Sequence, residues 1–500
     1  MKRRKKRERL RYLSPGYLRR EIQGFGYHFS LRRYAGCFLG LYGFVACLSY
    51  VFRLKLPFIL VICGITACFV PGMFAMVYRS QYETKRFEDI TAYMEQMLYS
   101  FKRHAKILNS LEDTLVLFEK GESRLYDAVL EAITYIQNGT AQSNLYREAF
   151  SIVEKEYGCP RLYKIHDFFI EAEAVGGDFA MSADILLKDR RLWIDRVYEL
   201  QREKKNIKVK ITIGIILSFL VCGMTVYMLP EEFGITKNVV SQAVTMVTIL
   251  LNLLIWYAAQ VKLSADFMQC KDVPESKDVK RQYNYVMHGD LNKETGKMCI
   301  PAVLFVPLAV LLGKKGSLAP AGLLLIFSVI LITQPRRRYK VSMKHVAREV
   351  EKAFPDWLLS MSLHLQTDNV HVSLTKSAAY APEILREELT LLLEGIEDTP
   401  DAVRPYLSFM DKVKLPDITS AMKVLYSMAE FGMADVGGQL GPLVERSLVM
   451  TDKAERLKAE DHLAGISFLV LLPMVTGVIK MLADLGLVMA YILSAVANIT

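Results

Sequence analysis

The sequence predicts an all-α integral membrane protein, with two duplicated helical-bundle modules in the cytoplasm and about eight transmembrane helices. Three observations carry this prediction. Over 500 residues the chain is 52% hydrophobic yet 23% charged, and the two classes are segregated: apolar runs near the roughly 20 residues that cross a bilayer alternate with long polar stretches. In the polar stretches, apolar residues recur at spacings of three and four, and the alternation expected of strands is missing. Finally, the tripeptide Val175-Gly176-Gly177 returns as Val436-Gly437-Gly438, in each case after an apolar-periodic helix and before a charged helical run that leads into a hydrophobic stretch.

The basic arm 1–34, with its cluster from Lys2 to Arg11 and Arg19, Arg20, Arg32 and Arg33 beyond, reads as the cytoplasmic flank of the first span and not as a nucleic-acid-binding stretch. Lysine and arginine accumulate on the cytoplasmic side and attract anionic lipid. A second apolar run follows the first almost at once, with no cleavage site and secreted domain between them, so a retained hairpin is expected over 35–78. Module 1 then occupies 79–210. Phe87, Ile90, Met94, Met97, Leu98 and Phe101 mark one helix face, Ser110 with Asp113 suggests a capping-box start, and Asn138-Gly139 and Cys159-Pro160 mark further boundaries. A second hairpin is expected over 211–261, around a link whose Glu231 and Glu232 suit the outer side.

Residues 262–297 read as a polar cytoplasmic linker, after which the plan restarts: a hairpin over 298–333, module 2 over 334–462 and a terminal hairpin over 463–497. Val346, Val350, Phe354, Trp357, Leu358, Met361 and Leu365 mark one face in module 2, with Pro355 starting a new helix or bending the old one. Ser110-Leu111 and Ser373-Leu374 are offset by 263 positions and the two Val-Gly-Gly tripeptides by 261, near-equal offsets that argue for duplication. Charge asymmetry around the hairpins puts both termini and both modules in the cytoplasm.

Gly176, Gly177, Gly437 and Gly438 are the structural turn candidates, because glycine reaches positive φ without a Cβ penalty just past a helix end. Lys480 and Asp484, four apart at the end of an apolar run, would be a functional candidate if buried at mid-membrane; the favoured reading is an outer turn before Gly486, where lysine can snorkel and aspartate can face water. No catalytic, cofactor-binding or metal-ligating residues are predicted. Gly313-Lys314-Lys315-Gly316-Ser317 lacks the spacing of a P-loop. The histidines form no HExxH, His364 and His371 are seven apart, and no CxxC pair or GxSxG elbow is present.

Phe354-Pro355-Asp356 before an apolar helix, the Ser-Leu helix start, Gly437-Gly438, a charged helix and a terminal apolar segment with Leu471-Leu472-Pro473 together resemble the type II secretion system F family of inner-membrane platform proteins (GspF/PilC), in its Tad pilus branch (TadB/TadC-like). The first half matches through Ser110-Leu111 and Gly176-Gly177 and lacks Phe-Pro-Asp. In both halves the family's glycine before the Ser-Leu start is replaced, with Asn109 and Asp368-Asn369 suited to its left-handed conformation. The resemblance covers about residues 80–230 and 340–480. It implies two fused platform modules forming a non-enzymatic, multi-pass cell-membrane protein, a homo-oligomer that couples a hexameric secretion ATPase to insertion of prepilin-like membrane subunits from the lipid bilayer. The alternative is a secondary transporter built from two parallel repeats, which would keep ionisable residues and broken helices within the membrane.

Overall fold

The computed structural model describes residues 15–121, 123–139, 144–176, 179–228, 230, 234–264, 267–268, 277–314, 318–366, 368–431 and 436–497. Helix is the only extended regular structure these residues adopt. Five helical stretches among them are long and apolar enough to cross a membrane: Leu31–Val51, Leu56–His104, Ala180–Met228, Val239–Lys262 and Gly441–Ser494. The chain divides into two units. One comprises Met1–Gly177, Ile194–Cys270 and Ala459–Thr500; the other comprises Asp178–Trp193 and Lys271–Lys458.

The first unit opens with α1 (Pro15–Gly24), whose Leu18 and Ile22 are buried against Phe74, Ala75 and Tyr78. The downstream part of the basic arm is thus a packed helix; the cluster from Lys2 to Arg11 lies outside the described residues. After α2 (Leu31–Val51) comes α3 (Leu56–Ala67), only 12 residues long. The expected return span is broken at Cys68 and Phe69, whose amides bond three residues back to Ile65 and Thr66, and helix resumes as α4 (Val70–His104), with Pro71 in its first turn. Proline is tolerated there because its missing N–H would be unsatisfied anyway.

The face marked by Phe87, Ile90, Met94, Met97, Leu98 and Phe101 is buried throughout. Buried apolar residues also line α5 (Ile107–Leu115), α6 (Arg124–Asn138), α7 (Leu145–Tyr157) and α8 (Pro160–Val175). Phe101 meets Phe169 of α8 with ring centroids 4.6 Å apart. Helix α5 starts at Ile107, before the expected capping box. Glu173 of α8 supplies its cap, accepting from the Ile107 amide at 2.7 Å, so a tertiary contact replaces the local signal. The left-handed residue before it is Ala105, φ 49°, and not Asn109, which is helical.

The same unit holds part of α9 (Ala180–Met228), all of α10 (Val239–Lys262) and α19 (Leu472–Ala497), which follows a short 3-10 turn at Phe468–Val470. Val45, Leu48, Ile62, Ile211, Phe219, Ile249 and Leu469 belong to their shared core with α2 and α3. The expected terminal hairpin is absent, because α19 passes through Ala483–Gly486 without reversing. Glu231 and Glu232 lie outside the described residues.

The second unit contains α11 (Lys277–Met287), α12 (Leu291–Lys314), α13 (Leu318–His364), α14 (Val370–Ala379), α15 (Glu383–Asp398), α16 (Arg404–Ser408), α17 (Pro416–Phe431) and most of α18 (Val436–Ser467). Helix α11 overturns the reading of 262–297 as a linker without apolar organisation: Val279, Tyr283, Val286 and Met287 are buried in the unit's core. Helices α12 and α13 pair through Ser328 Oγ to the Ala302 carbonyl at 2.9 Å and an edge-on Phe305–Phe327 contact. Pro355 does not start a new helix; α13 runs through it, with Phe354, Trp357 and Leu358 buried on either side. Helices α5 and α14 begin 263 positions apart, each carrying its buried Ser-Leu pair from the fourth residue, and α8 and α17 are each 16 residues long with a proline first.

The repeated glycines part company. Gly176 ends α8 at φ 70°, its amide bonding the Ala172 carbonyl at 2.9 Å; Gly177 lies outside the described residues. Gly437 and Gly438 sit inside the first turn of α18; residues 432–435 before it lie outside the described residues. Substitutions should therefore separate the two sites. Gly176→Val is expected to lower stability by roughly 1–2 kcal/mol through the left-handed penalty, whereas Gly437→Ala is expected to be neutral or to stabilise by up to about 1 kcal/mol. Denaturant unfolding of the full-length protein in lipid nanodiscs measures both; equal losses would contradict the different backbone assignments.

Candidate functional site

Helix α10 carries its polarity on the inside. Ser241, Gln242, Thr245, Thr248 and Asn252 are all buried, while Val239, Val240, Val247, Leu251 and Leu254 are exposed. The spacing from 241 through 245 and 248 to 252 places hydroxyl and amide groups along one helical stripe. In a membrane-length helix such a face is costly unless its groups are paired.

The pairing comes from α19. Asp484 Oδ1 accepts from Ser241 Oγ at 3.0 Å, and its Oδ2 accepts from Lys480 Nζ, one turn back on the same helix. Both charged residues are 1% exposed. At a second level of the stripe, Asn252 Nδ2 donates to the Thr248 carbonyl at 3.0 Å and to Thr476 Oγ1 at 2.9 Å. Thr476 spends its own proton on the Pro473 carbonyl at 2.8 Å, so its oxygen can only accept from Asn252. That fixes the amide orientation and leaves Asn252 Oδ1, buried, without a hydrogen-bond partner.

Two further contacts hold the helices in register. Cys222 of α9 donates its thiol to the Gly477 carbonyl at 3.6 Å, and a Cβ at Gly477 would stand 2.6 Å from Ser218 Oγ. Gln242 ties the start of α10 to the α2–α3 link: its Oε1 accepts from the Lys55 amide at 2.9 Å and its Nε2 donates to the Arg53 carbonyl at 3.0 Å. Lys480 and Asp484 are therefore not at a water-facing turn. The Lys480–Asp484 spacing followed by Gly486 suggested one, but a carboxylate satisfied by Ser241 and Lys480 needs no water, and helix persists.

A separate buried polar cluster lies among α4, α7 and α8 of the same unit. His166 of α8 is fully buried, stacked on Phe150 at 3.9 Å between ring centroids, with Nδ1 2.8 Å from Glu154 Oε1 and Nε2 3.1 Å from the Tyr93 hydroxyl. An ionised carboxylate only accepts, so Nδ1 carries the proton and Tyr93 donates to Nε2. Burial pushes the His166 pKa down, opposed by Glu154, and pushes that of Tyr93 up. Neutral imidazole is the state the packing favours.

The turn glycines do not join either cluster. A Cβ on Gly176 would meet nothing within 4 Å, so φ, and not a close approach, selects glycine there. Sequence reading singled out the Lys480–Asp484 pair but favoured a turn for it, and missed the polar stripe at helical spacing in α10 that receives it.

Breaking the ion pair on one side should be worse than removing it. Lys480→Met leaves an uncompensated buried carboxylate and is expected to cost about 3–5 kcal/mol, whereas the double change Lys480→Met with Asp484→Leu should lose clearly less; unfolding in nanodiscs at neutral pH tests the order. For His166 the folded pKa lies below the ordinary 6.5, so the unfolded chain binds the extra proton first. Its contribution is complete above 6.5 and is lost as pH falls from there through the depressed folded value. Unfolding midpoints on the two sides of that window should differ in the wild type and differ less in His166→Gln. Comparison with protein-family models, with curated proteins and with solved structures returns no match to this chain.

Proposed function

We propose that the protein is a non-enzymatic membrane platform of a type II secretion or Tad-type pilus assembly machine, a homo-oligomer coupling a cytoplasmic hexameric secretion ATPase to insertion of prepilin-like subunits. One observation supports this most: each unit contains a helix that runs without a break from an apolar stretch into a soluble core. In the first unit α4 goes from Val70–Tyr78 to the buried face Phe87–Phe101; in the second, α13 goes from Leu318–Thr333 to Val346–Leu365. Close-packed helices have low compressibility and pass on displacement, which work done on a membrane-embedded filament base requires. The matching order and register of α5 and α14 support reading the two soluble cores as repeats of one module. With α19 as a single span, the chain has seven spans, the modules and N-terminus in the cytoplasm and the C-terminus outside.

A secondary transporter is the second reading, favoured by the buried Lys480–Asp484 pair, because ionisable residues inside membrane-length helices mark ion and substrate paths. Reconstitution separates the two. The protein in vesicles is expected to bind a secretion ATPase and prepilins encoded beside it, and to hydrolyse no ATP alone. ATP hydrolysis by the purified chain would overturn the platform reading, and so would solute uptake without a partner.

A further inference from the structure

Lys480 sits between two acceptors along the seam of α10 and α19, Asp484 on its own helix and Asn252 on α10, and only one is occupied. One turn ahead is the Asp484 carboxylate, which holds the ammonium now. One turn behind is Thr476, bonded to Asn252, whose Oδ1 is buried and unpartnered. Thr245 and Thr248 lie between these levels, and both hydroxyls already donate to carbonyls four residues back, at 2.8 Å each. They can therefore only accept. On α10, Thr245 and Thr248 thus add acceptor oxygens between the level of Ser241, which meets Asp484, and that of Asn252, and lysine carries its charge on a flexible four-carbon stem.

From this we infer that Asp484 is a proton-binding site with Lys480 as its movable counter-ion. A proton delivered by water forms an O–H bond at Asp484 Oδ2 and displaces the ammonium, which keeps its three protons and moves one turn to Asn252 Oδ1. No other covalent bond changes. The site goes from neutral to one positive charge, carried by the ammonium and solvated by the threonine and asparagine oxygens. Ser241, which bonds the carboxylate, is the third residue of α10. The titratable groups facing Asp484 among the described residues are Lys480 on its own helix and the Cys222 thiol on α9; α10 brings only uncharged groups. At the rim, Lys55 is bonded to the Lys237 carbonyl at 3.0 Å, and Arg53 lies over Tyr227.

The test is infrared difference spectroscopy of the full-length protein in nanodiscs between neutral and acidic buffer, with no partner present. The expected result is a protonated-carboxyl band that appears on acidification, is lost in Asp484→Asn and is reduced in Asn252→Leu, which removes the second position for the ammonium without touching the carboxylate. If Asp484→Asn fails to insert, Ser241→Ala identifies the band by shifting its frequency, since Ser241 hydrogen-bonds that carboxyl. No band attributable to Asp484, or a band of full size in Asn252→Leu, would overturn the inference. A response to sodium ion at fixed pH in place of the carboxyl band would assign the site to a metal cation and overturn the proton reading.

Discussion

In the interior of a bilayer no water is available to backbone amides and carbonyls, so every one of them must be bonded within its own helix or to a neighbour. Helix ends are pushed outward under that constraint. Once a helix has left the membrane, extending it costs little if its next turns find a core. In α4, which continues a stretch long and apolar enough to cross a membrane, and in α13, an apolar start is followed without interruption by a stripe of buried residues. The break at Cys68–Phe69 obeys the same rule. Its amides are satisfied by tightened three-residue bonds, and Tyr257 of α10 packs its ring 5.0 Å from Phe69.

The soluble cores depend on a different force. Burying Phe87, Tyr93, Phe101, Phe150 and Phe169 in one unit, and Phe354, Trp357 and Phe409 in the other, removes large aromatic surfaces from water, each worth a few kcal/mol at roughly 25 cal/mol per Å². Polar groups drawn in with them are paired where charge is at stake. Glu154, for example, meets His166 at 2.8 Å and Arg147 at 3.9 Å. Glu173 serves three groups, accepting from the Ile107 amide, Lys106 and Tyr146, and so fixes the entry to α5 from a helix far away in sequence.

What was legible in the sequence follows from these forces. The stripes of α4 and α13 were readable residue by residue, because amphipathic periodicity is written locally and burial follows it. Helix ends were not. The start of α5 depends on Glu173, 66 positions from the amide it caps, and no window around Ser110 contains that information. Identical tripeptides gave different backbones because Gly176 closes a helix while Gly437 opens one; glycine permits positive φ without requiring it. The α11 stripe was present at spacings of four and three but was hidden among Lys277, Asp278, Lys280 and Arg281. Lys480 and Asp484 were noticed and misplaced, because Ser241, which bonds Asp484, lies 243 positions away and only the assembled bundle brings them near.

Among membrane-length helices the hydrophobic effect contributes little to association, since lipid tails are as apolar as leucine, and close backbone approach and interhelical hydrogen bonds take over. Gly477 against Ser218, Gly214 against Pro473 and Gly223 against Val51 supply the close approach. The Asn252–Thr476 bond supplies polar adhesion without any charge. A bundle held together by these contacts does not need an ion pair as well, and replacing such a pair with packed apolar side chains is often neutral or stabilising. Lys480 and Asp484 thus exceed what cohesion demands. Asn252, a neutral residue with a buried, unpartnered acceptor, lies on the facing α10 stripe, and that combination of surplus charge and spare acceptor gives the buried ammonium a second position, which a purely structural pair would not need.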